Sequence, residues 1–393
     1  MAGPLEGLKV LDFTTLLPGP FATMTLADLG ADILRIVSPS RPDLATFMPP
    51  FIPSTKISAI GAYLGRGKRS INLNLKDSRT QEVVRRMIGQ YDILVEQFRP
   101  GVMARCGLDY ESLYVDNPKL IYCSITGYGQ TGPLQERAGH DINYLSRSGL
   151  MGHSGRKTIG PVLTGMQIAD IASGSFNAII GILAAVVHRH ATGRGQHIDV
   201  SMTDGVMAFN AMFGAAFLAT GTLVGREEGF LNGGSLYDFY ETSDGEYISV
   251  GSIEPQFFAA FCSAIGRPDL EAGSIAPQNL DRVKAEVRAI FKTKTREEWV
   301  AIFKKVDACV EPVLSLDEAF QDDLTKQRAM IVDVPLPNGG TVRQLANPIK
   351  FSRSQQAYKK VGAEPGTHTK EVFLELGYSE AQIDEFEQTG LFR

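Results

Sequence analysis

The sequence predicts an α/β fold built on a parallel β-sheet, from a strand–helix–strand pattern at its start and from further strands of the same kind along the chain. Apolar segments at residues 8–13 and 31–37 flank a stretch with helical spacing at 21–29. Two strands joined through a helix lie parallel in one sheet. Further strands of the same kind are predicted at 71–75, 91–96, 120–125 and 196–201. No G-x-G-x-x-G run follows the first strand, so no nicotinamide cofactor is predicted.

The helices follow from apolar spacing and from the residues that end it. Residues 79–90 have helical spacing, and residues 171–190 are rich in Ala, Ile, Leu and Val, which suits a buried helix. The first strand is broken by Pro18-Gly19-Pro20, and the long helix ends at Thr192-Gly193-Arg194-Gly195.

The organisation changes near Glu227. Two short strands flank Ser243-Asp244-Gly245, which is a hairpin signal, and helices are predicted to begin at Pro255 and Arg296. We therefore assign residues 1–225 to a large α/β domain and residues 226–325 to a smaller α+β domain. Residues 326–393 form a C-terminal segment of short extended pieces and a helical tail.

Composition excludes several classes of protein. The 393 residues carry a net charge of −5 and are 44% hydrophobic, which suits two domains with real cores and no nucleic-acid partner. The four cysteines are widely spaced without a CxxC pair, which argues against a disulfide framework or a metal site. With no signal peptide, no apolar run of membrane-spanning length and no S-K-L-type tail, we expect a cytoplasmic protein without membrane contact.

The candidate residues for catalysis lie within residues 127–174. This stretch contains Gly127-Tyr128-Gly129-Gln130-Thr131-Gly132-Pro133, then Gly139-His140-Asp141-Ile142-Asn143-Tyr144, then Ile168-Ala169-Asp170. An imidazole and a carboxylate are the usual groups for proton transfer near neutral pH. His140 could instead belong to a turn, and Asp170 could be a helix N-cap. We also expect the positive end of the following helix to favour the ionised form of Asp170.

Two basic clusters could hold phosphate. Arg66, Lys68 and Arg69 place three cations in four positions of a glycine-containing loop, although a solvated charged loop would look the same. Arg99 and Arg105 follow the strand at 91–96, and ligands of α/β sheets bind beyond the carboxyl ends of strands.

These motifs resemble the CoA-transferase III superfamily and, within it, the α-methylacyl-CoA racemases. The G-Y-G-Q-x-G-P run is shared across the superfamily, while Gly139–Tyr144 and Leu231-Asn232-Gly233-Gly234 resemble the racemase branch. The resemblance runs from Leu5 to the C-terminal tail. It implies a Rossmann-like large domain rejoined by residues 326–393, an interlocked homodimer, an acyl-CoA substrate, and no cofactor beyond the CoA moiety.

The resemblance also implies which residues contact CoA. Besides the basic loop and the two later arginines, these are Leu73, Asn74, Leu75, Lys76, Gln97, Phe98, Gly139, Asp141, Asn143 and Tyr144. The family commonly has an arginine near position 38, where this chain has Ser38, with Arg41 three residues on.

In the racemase hypothesis, an α-proton beside the thioester is removed and returned on the opposite face. This needs two acid/base groups, which would be His140 and Asp170. The resemblance implies that Glu254 orients the histidine and favours its charged form. In an interlocked dimer it could serve either the His140 of its own chain or that of the other subunit. On residues alone, Glu254 could equally be a carboxylate at the start of a helix.

Two other hypotheses stay open. In a CoA-transferase, Asp170 would attack the thioester to form an aspartyl-acyl anhydride, and no histidine is needed. The run Ile168–Gly174 is somewhat transferase-like. A non-catalytic acyl-CoA binder would not need His140 and Asp170 together. His140 and Glu254 in their contexts favour the racemase.

Overall fold

The computed structural model describes residues 3–40, 42–53, 55–270, 275 and 277–393, so Arg41 lies outside the described residues. The strands are β1 Lys9–Phe13, β2 Asp32–Val37, β3 Arg69–Asn72, β4 Ile93–Glu96, β5 Ile121–Thr126, β6 His197–Ser201, β7 Asp238–Glu241, β8 Tyr247–Val250, β9 Val310–Pro312, β10 Ile331–Pro335 and β11 Thr341–Leu345. The α-helices are α1 Pro18–Asp28, α2 Ala59–Leu64, α3 Arg79–Ile88, α4 Val102–Arg105, α5 Tyr110–Tyr114, α6 Asp141–Arg147, α7 Leu150–His153, α8 Phe176–Thr192, α9 Met202–Ala208, α10 Ala211–Thr220, α11 Pro255–Ala264, α12 Leu280–Phe291, α13 Arg296–Phe303, α14 Leu316–Gln321, α15 Asp323–Gln327, α16 Thr369–Glu375 and α17 Glu380–Gln388.

The chain forms two compact units. The first comprises Met1–Ser148, Thr164–Phe209 and Lys326–Arg393, and the second comprises Gly149–Leu163 and Asn210–Thr325. Strands β1 to β6 form one sheet in the first unit, in the order β3-β2-β1-β4-β5-β6, and every neighbouring pair is parallel. The α/β class with a parallel sheet is thus confirmed, and the strand order is that of the doubly wound dinucleotide-binding folds.

The central strands are buried along nearly their whole length, as expected where helices cover both faces of such a sheet. Leu11, Leu94 and Cys123 on three adjacent strands are fully buried. The helices α16 and α17 add Phe373 and Ile383 to the same core. Burying these side chains against the sheet is what joins the C-terminal segment to the first unit.

The long helix is longer than the apolar run of the sequence indicates. A π-helical segment, Ala169–Ser175, leads directly into α8, with the Phe176 N–H donating to the Ile171 carbonyl. Residues Ala169–Thr192 reach a mean hydropathy of 1.7 and are long enough to cross a membrane. This helix packs on β5 and α1, as a core helix of an α/β protein does, so it does not indicate a membrane protein.

The second unit has an antiparallel sheet of β7, β8 and β9, with the predicted hairpin joining the first two strands. Helices α11, α12 and α13 supply its core, in which the rings of Phe261, Phe291 and Trp299 pack together. Trp299 donates its indole N–H to the Phe291 carbonyl at 2.9 Å, so the N–H of this buried ring has a hydrogen-bond partner.

The unit boundaries differ from the predicted domains 1–225, 226–325 and 326–393. Residues 149–163 and 210–225 belong to the second unit rather than to the large domain. Arg226 donates to the carbonyls of Met151 and Ser154, at 2.5 and 2.8 Å. Arg156 pairs with Asp238 at 2.6 Å. These bonds join segments far apart in sequence, which local composition does not reveal.

Candidate functional site

The glycine-rich loop follows β5, at the carboxyl edge of the parallel sheet. Gly129 has a φ of +87°, which only glycine adopts without strain, and its N–H donates to Thr126 Oγ1 at 3.0 Å. A Cβ at Gly127 would lie 2.3 Å from the Tyr144 ring. The Tyr144 hydroxyl donates to the Gly139 carbonyl at 2.5 Å. Tyr144 therefore ties the two halves of the motif together.

His140 is the N-cap residue of α6, with extended backbone at φ −127°. Its N–H donates to Asn143 Oδ1 at 3.0 Å, so Asn143 fixes the backbone on which the imidazole is carried. The side chain of His140 is exposed. The predicted CoA contact Asn143 thus has a local role in shaping the turn.

Asp170 lies in the π-helical segment, and Asp141 holds its backbone. Asp141 Oδ1 accepts the N–H of Ala169 at 2.6 Å and the N–H of Asp170 at 3.1 Å. Because Asp141 and His140 are consecutive residues, this clamp holds the backbone of Asp170 next to the turn that carries the imidazole. The charge of His140 acts on Asp170, which places the two groups in one electrostatic site.

Burial raises the pKa of the Asp170 carboxyl to about 6; the Asp141 charge adds to the rise and His140 opposes it. The expectation that the helix end keeps Asp170 readily ionised is therefore wrong in direction. Desolvation and a like charge outweigh the helix end. A carboxyl with a pKa near 6 can both accept and return a proton near neutral pH.

The π-helical segment is fixed by its own hydroxyls. Ser175 Oγ donates to the Pro18 carbonyl at 2.6 Å and to the Asp170 carbonyl at 3.1 Å. Ser173 Oγ donates to the Met202 carbonyl at 2.7 Å. The segment is thus anchored to the starts of α1 and α9, and π-turns of this kind recur at functional sites.

The basic loop is not a phosphate site. Arg66 is fully buried, with bonds to the Asp28 carboxylate at 2.9 and 2.6 Å, to Gln344 and to the Leu345 carbonyl. The prediction for Arg66 is wrong because these acceptors already bind the N–H groups of its guanidinium.

The Lys68 prediction is wrong for the same reason. Its three ammonium protons are used by Asp12, Thr23 and the Pro20 carbonyl, at 3.0, 2.7 and 3.0 Å. Arg69 pairs with Glu375 at 2.8 Å and with Glu371 at 3.3 Å. The cluster that resembles a phosphate loop is a set of structural ion pairs.

The other predicted CoA contacts differ in whether their side chains are buried, hydrogen-bonded within the protein or exposed. Leu73 is buried in the core, Asn74 Oδ1 accepts the Lys76 N–H at 3.1 Å, and Gln97 Oε1 accepts the Gly19 N–H at 2.9 Å. Leu75 and Phe98 pack at the edge of the core, and Lys76 is exposed.

Arg99 and Arg105 are the predicted arginine contacts that remain available for CoA. Both side chains are exposed, and neither forms an ion pair with a residue that the structure describes. They stand just after β4, beyond the carboxyl end of the strand. The charge of Arg99 also reaches Tyr144, next to the glycine-rich loop.

Glu254 belongs to the second unit, whereas His140 and Asp170 belong to the first. It is the N-cap residue of α11, directly before Pro255, with an exposed side chain that makes no capping bond. Both sequence-based roles of this carboxylate therefore stay open.

The sequence analysis missed Glu96, the last residue of β4. Its carboxyl is buried and accepts the Phe98 N–H at 2.7 Å, and burial raises its pKa to about 7. It lies beside Ser124 on β5, whose hydroxyl is 3.0 Å from His197 Nε2. The sequence signal that could have identified Glu96 is an acidic residue at the end of a buried parallel strand.

A cavity of about 370 Å³ opens beside the His140 turn. Its lining residues are Tyr128, Leu134, Arg137, Ala138, Asn143, Ser146 and Arg147. None of them except Asn143 was singled out from the sequence for a binding role.

The fold and site define a doubly wound α/β protein in which Asp141 clamps the Asp170 backbone to the turn that carries His140. Residues 5–369 match CoA-transferase family III, and the chain belongs to that family. The resemblance seen in the motifs is thereby confirmed, and the protein is an enzyme of this family, a racemase or a CoA-transferase.

Individual relatives fall on both sides of that division. The chain is 35% identical to the alpha-methylacyl-CoA racemase of Mus musculus, over 96% of this chain and 95% of the relative. It is 31% identical to the succinyl-CoA:glutarate CoA-transferase of the same organism, over 99% and 90%. A CAIB/BAIF family protein from Brucella suis superposes with a TM-score of 0.84 at 32% identity, covering 96% of this chain and 100% of that structure.

Proposed function

We propose that the protein is a racemase that interconverts (R)- and (S)-2-methylacyl-CoA thioesters by 1,1-proton transfer. One observation carries the proposal: Asp141 clamps the Asp170 backbone to the His140 turn, and Asp170, which feels the charge of His140, has a pKa of about 6. A carboxyl with a pKa near 6 suits removal and return of a proton, and the imidazole supplies a second acid/base group.

In this reaction one group removes the α-proton and the C–H electron pair moves into an enolate on the thioester oxygen. The other group, protonated beforehand, donates its proton to the opposite face of the α-carbon. Each group ends in the protonation state that the other enantiomer requires. His140 and Asp170 can therefore serve either direction without an added co-reactant.

Substrate binding is proposed to use Arg99 and Arg105 for the CoA phosphates, because the basic loop is occupied by structural ion pairs. These exposed arginines stand where ligands of parallel sheets bind. An acyl-CoA thioester is the substrate, and the chemistry calls for no further cofactor.

We also infer that two chains form the active enzyme as an interlocked homodimer, with Glu254 of one subunit orienting the partner's His140. Helix α10 supports this, because no residue in it is buried and Leu218 and Met212 are 86% and 65% exposed. An apolar surface of this kind marks a protein–protein interface.

The second candidate is a CoA-transferase that uses Asp170 as its nucleophile. Transferase relatives that align over nearly the whole chain favour it. In that reaction the Asp170 carboxylate attacks the thioester carbon and CoA leaves as the thiolate. The thiolate then attacks the aspartyl carbonyl of the resulting anhydride and releases the donor acid. The acceptor carboxylate displaces CoA from this aspartyl thioester to form a second anhydride, and the thiolate attacks its acyl carbonyl, which gives the new acyl-CoA and frees Asp170.

The test is incubation of the enzyme with one enantiomer of a 2-methylacyl-CoA in deuterated water without an acceptor acid. The racemase proposal predicts deuterium at the α-carbon and formation of the other enantiomer. A transferase would leave the α-position unlabelled, hydroxylamine would trap an acyl group on Asp170, and CoA would pass to an added carboxylic acid.

A further inference from the structure

Glu96 is a buried acid at the carboxyl end of β4 that the proposed reaction does not use. The residue is 4% exposed, and among the residues that the structure describes no cation forms an ion pair with its carboxyl. Burying a carboxyl is costly unless hydrogen bonds satisfy its oxygens. Here one bond comes from a backbone N–H and one from a hydroxyl, and both favour the ionised form.

The first bond closes the turn that follows β4. Glu96 Oε2 accepts the N–H of Phe98 at 2.7 Å, which is the length of a charge-assisted hydrogen bond. Phe98 directly precedes Arg99, whose carbonyl accepts the Val102 N–H at 3.1 Å. Gly101 has a φ of +79°, so the chain reverses there without strain. The carboxyl therefore fixes the backbone immediately before Arg99.

The second bond holds the carboxyl itself. Ser124 is the neighbour of Glu96 in the pairing of β4 with β5, and its hydroxyl hydrogen-bonds to the carboxyl. Ser124 Oγ also lies 3.0 Å from His197 Nε2. The His197 ring stacks on the Tyr110 ring, with centroids 5.6 Å apart. Side chains of β5 and β6 thus keep the Glu96 carboxyl in one orientation.

Gln97 fixes the same turn from another side. Its Oε1 accepts the N–H of Gly19 at 2.9 Å, where α1 begins. The Arg99 side chain, in contrast, is exposed, and its charge acts on Tyr144 beside the glycine-rich loop. An exposed guanidinium on a fixed backbone loses less conformational entropy on binding an anion than one on a mobile loop.

We propose that Glu96 is a positioning residue for substrate binding, whose carboxyl holds the turn 96–102 so that Arg99 is presented to a phosphate of CoA. Glu96 acts through Arg99 and does not itself touch the substrate. The inference rests on the proposed function in one respect, that Arg99 binds CoA. It holds equally for racemisation and for CoA transfer.

The test compares calorimetric binding of one 2-methylacyl group carried by CoA and by pantetheine, which has no phosphates. Glu96→Ala should weaken binding of the CoA thioester about tenfold and leave binding of the pantetheine thioester unchanged. Glu96→Gln retains an oxygen that accepts the Phe98 N–H, so it should restore most of the affinity. Asp109→Ala is the matched control, because Asp109 Oδ1 accepts the Ser112 N–H at 3.1 Å in α5 and not in the turn.

A second variant covers the case in which Glu96→Ala lowers stability. Ser124→Ala frees the carboxyl on its other side but leaves the acceptor of the Phe98 N–H in place. It should weaken binding of the CoA thioester about threefold, as for one neutral hydrogen bond, again without an effect on the pantetheine thioester. Equal weakening of both thioesters by the Glu96 and Ser124 variants would mean a structural role only and would overturn the proposal.

The double variant Glu96→Ala with Arg99→Met shows whether the two residues act together. If Glu96 acts through Arg99, the double variant should bind the CoA thioester no more weakly than Arg99→Met alone. Losses that add would overturn the positioning role and leave the CoA contact of Arg99 standing. An Arg99→Met variant that binds CoA thioester like the wild type would overturn that contact, and the inference with it.

Discussion

The carboxylate of Asp141 accepts the backbone N–H of Asp170 at 3.1 Å, and this bond joins the two halves of the site. The same oxygen accepts the Ala169 N–H. Asp141 therefore fixes the position of Asp170 and, through its own negative charge, raises the pKa of that residue. One side chain thus sets both the geometry and the acidity of the proposed base.

Replacing Asp141 by Asn should keep the acceptor oxygen and remove the charge. The pKa of Asp170 should fall, so the rise of kcat/KM with pH that reports ionisation of the free enzyme's base should move to lower pH. Asp141→Ala should instead lower kcat about tenfold or more, because the clamp is lost. A pH profile that stays in place or moves upward in Asp141→Asn would contradict this account.

Substitution by Met should affect substrate binding at Arg99 and protein stability at Arg66. Arg99→Met should raise KM for acyl-CoA about tenfold with kcat nearly unchanged, since a remote contact binds substrate and transition state alike. Arg66→Met should leave a buried Asp28 unpaired and lower the free energy of unfolding by about 3–5 kcal/mol. Steady-state kinetics and urea unfolding separate the two effects.

The double variant Arg66→Met with Asp28→Asn is the control for the second effect, because it removes both charges. It should recover part of the lost stability. A large KM effect in a stably folded Arg66 variant would restore the basic loop as a CoA site.

Much of the fold could be predicted from the sequence because its signals are local. Each strand of the parallel sheet is a short apolar run, and the hairpin has its own turn residues. The basic loop could not be interpreted in this way. Arg66 meets Asp28 at a separation of 38 residues and Gln344 at 278, so its burial depends on tertiary contacts. The same holds for Arg226, which joins residues 151 and 154 to the second unit.

The site was predictable in its residue types and not in its electrostatics. His140 and Asp170 stand out in neutral, glycine-rich surroundings. The direction of the Asp170 pKa shift follows from burial and from a neighbour 29 residues away in sequence, which no periodicity shows. Glu96 was missed because an acid at a strand end is commonly solvated.

Gly127→Ala should destabilise the protein, because its Cβ would lie 2.3 Å from the Tyr144 ring. We expect a loss of about 1–3 kcal/mol in the free energy of unfolding, as for other overpacked sites. Gly165→Ala is the control, since no heavy atom lies within 4 Å of its added Cβ. Adding Tyr144→Leu should relieve part of the clash; equal stability of the wild type and Gly127→Ala would refute the tight packing.

Glu96 should make stability depend on pH. Its pKa in the folded protein is about 7, against 4.5 for the ordinary side chain. The folded state therefore holds a proton that the unfolded chain has released, and stability falls as pH rises between these values. Glu96→Gln should remove up to about 3 kcal/mol of that fall. Urea unfolding from pH 4.5 to 8 measures the difference, and parallel curves for both proteins would contradict the burial of an ionisable Glu96.

The most direct test of the proposed mechanism is α-hydrogen exchange by His140→Ala and Asp170→Asn with each pure enantiomer of a 2-methylacyl-CoA in deuterated water. Each variant retains one base, so each should exchange the α-proton of one enantiomer only, and the two variants should prefer opposite enantiomers. Neither should form the other enantiomer at an appreciable rate. Exchange of both enantiomers by one variant, or full racemisation without either side chain, would contradict the assignment of His140 and Asp170 as opposed acid/base groups.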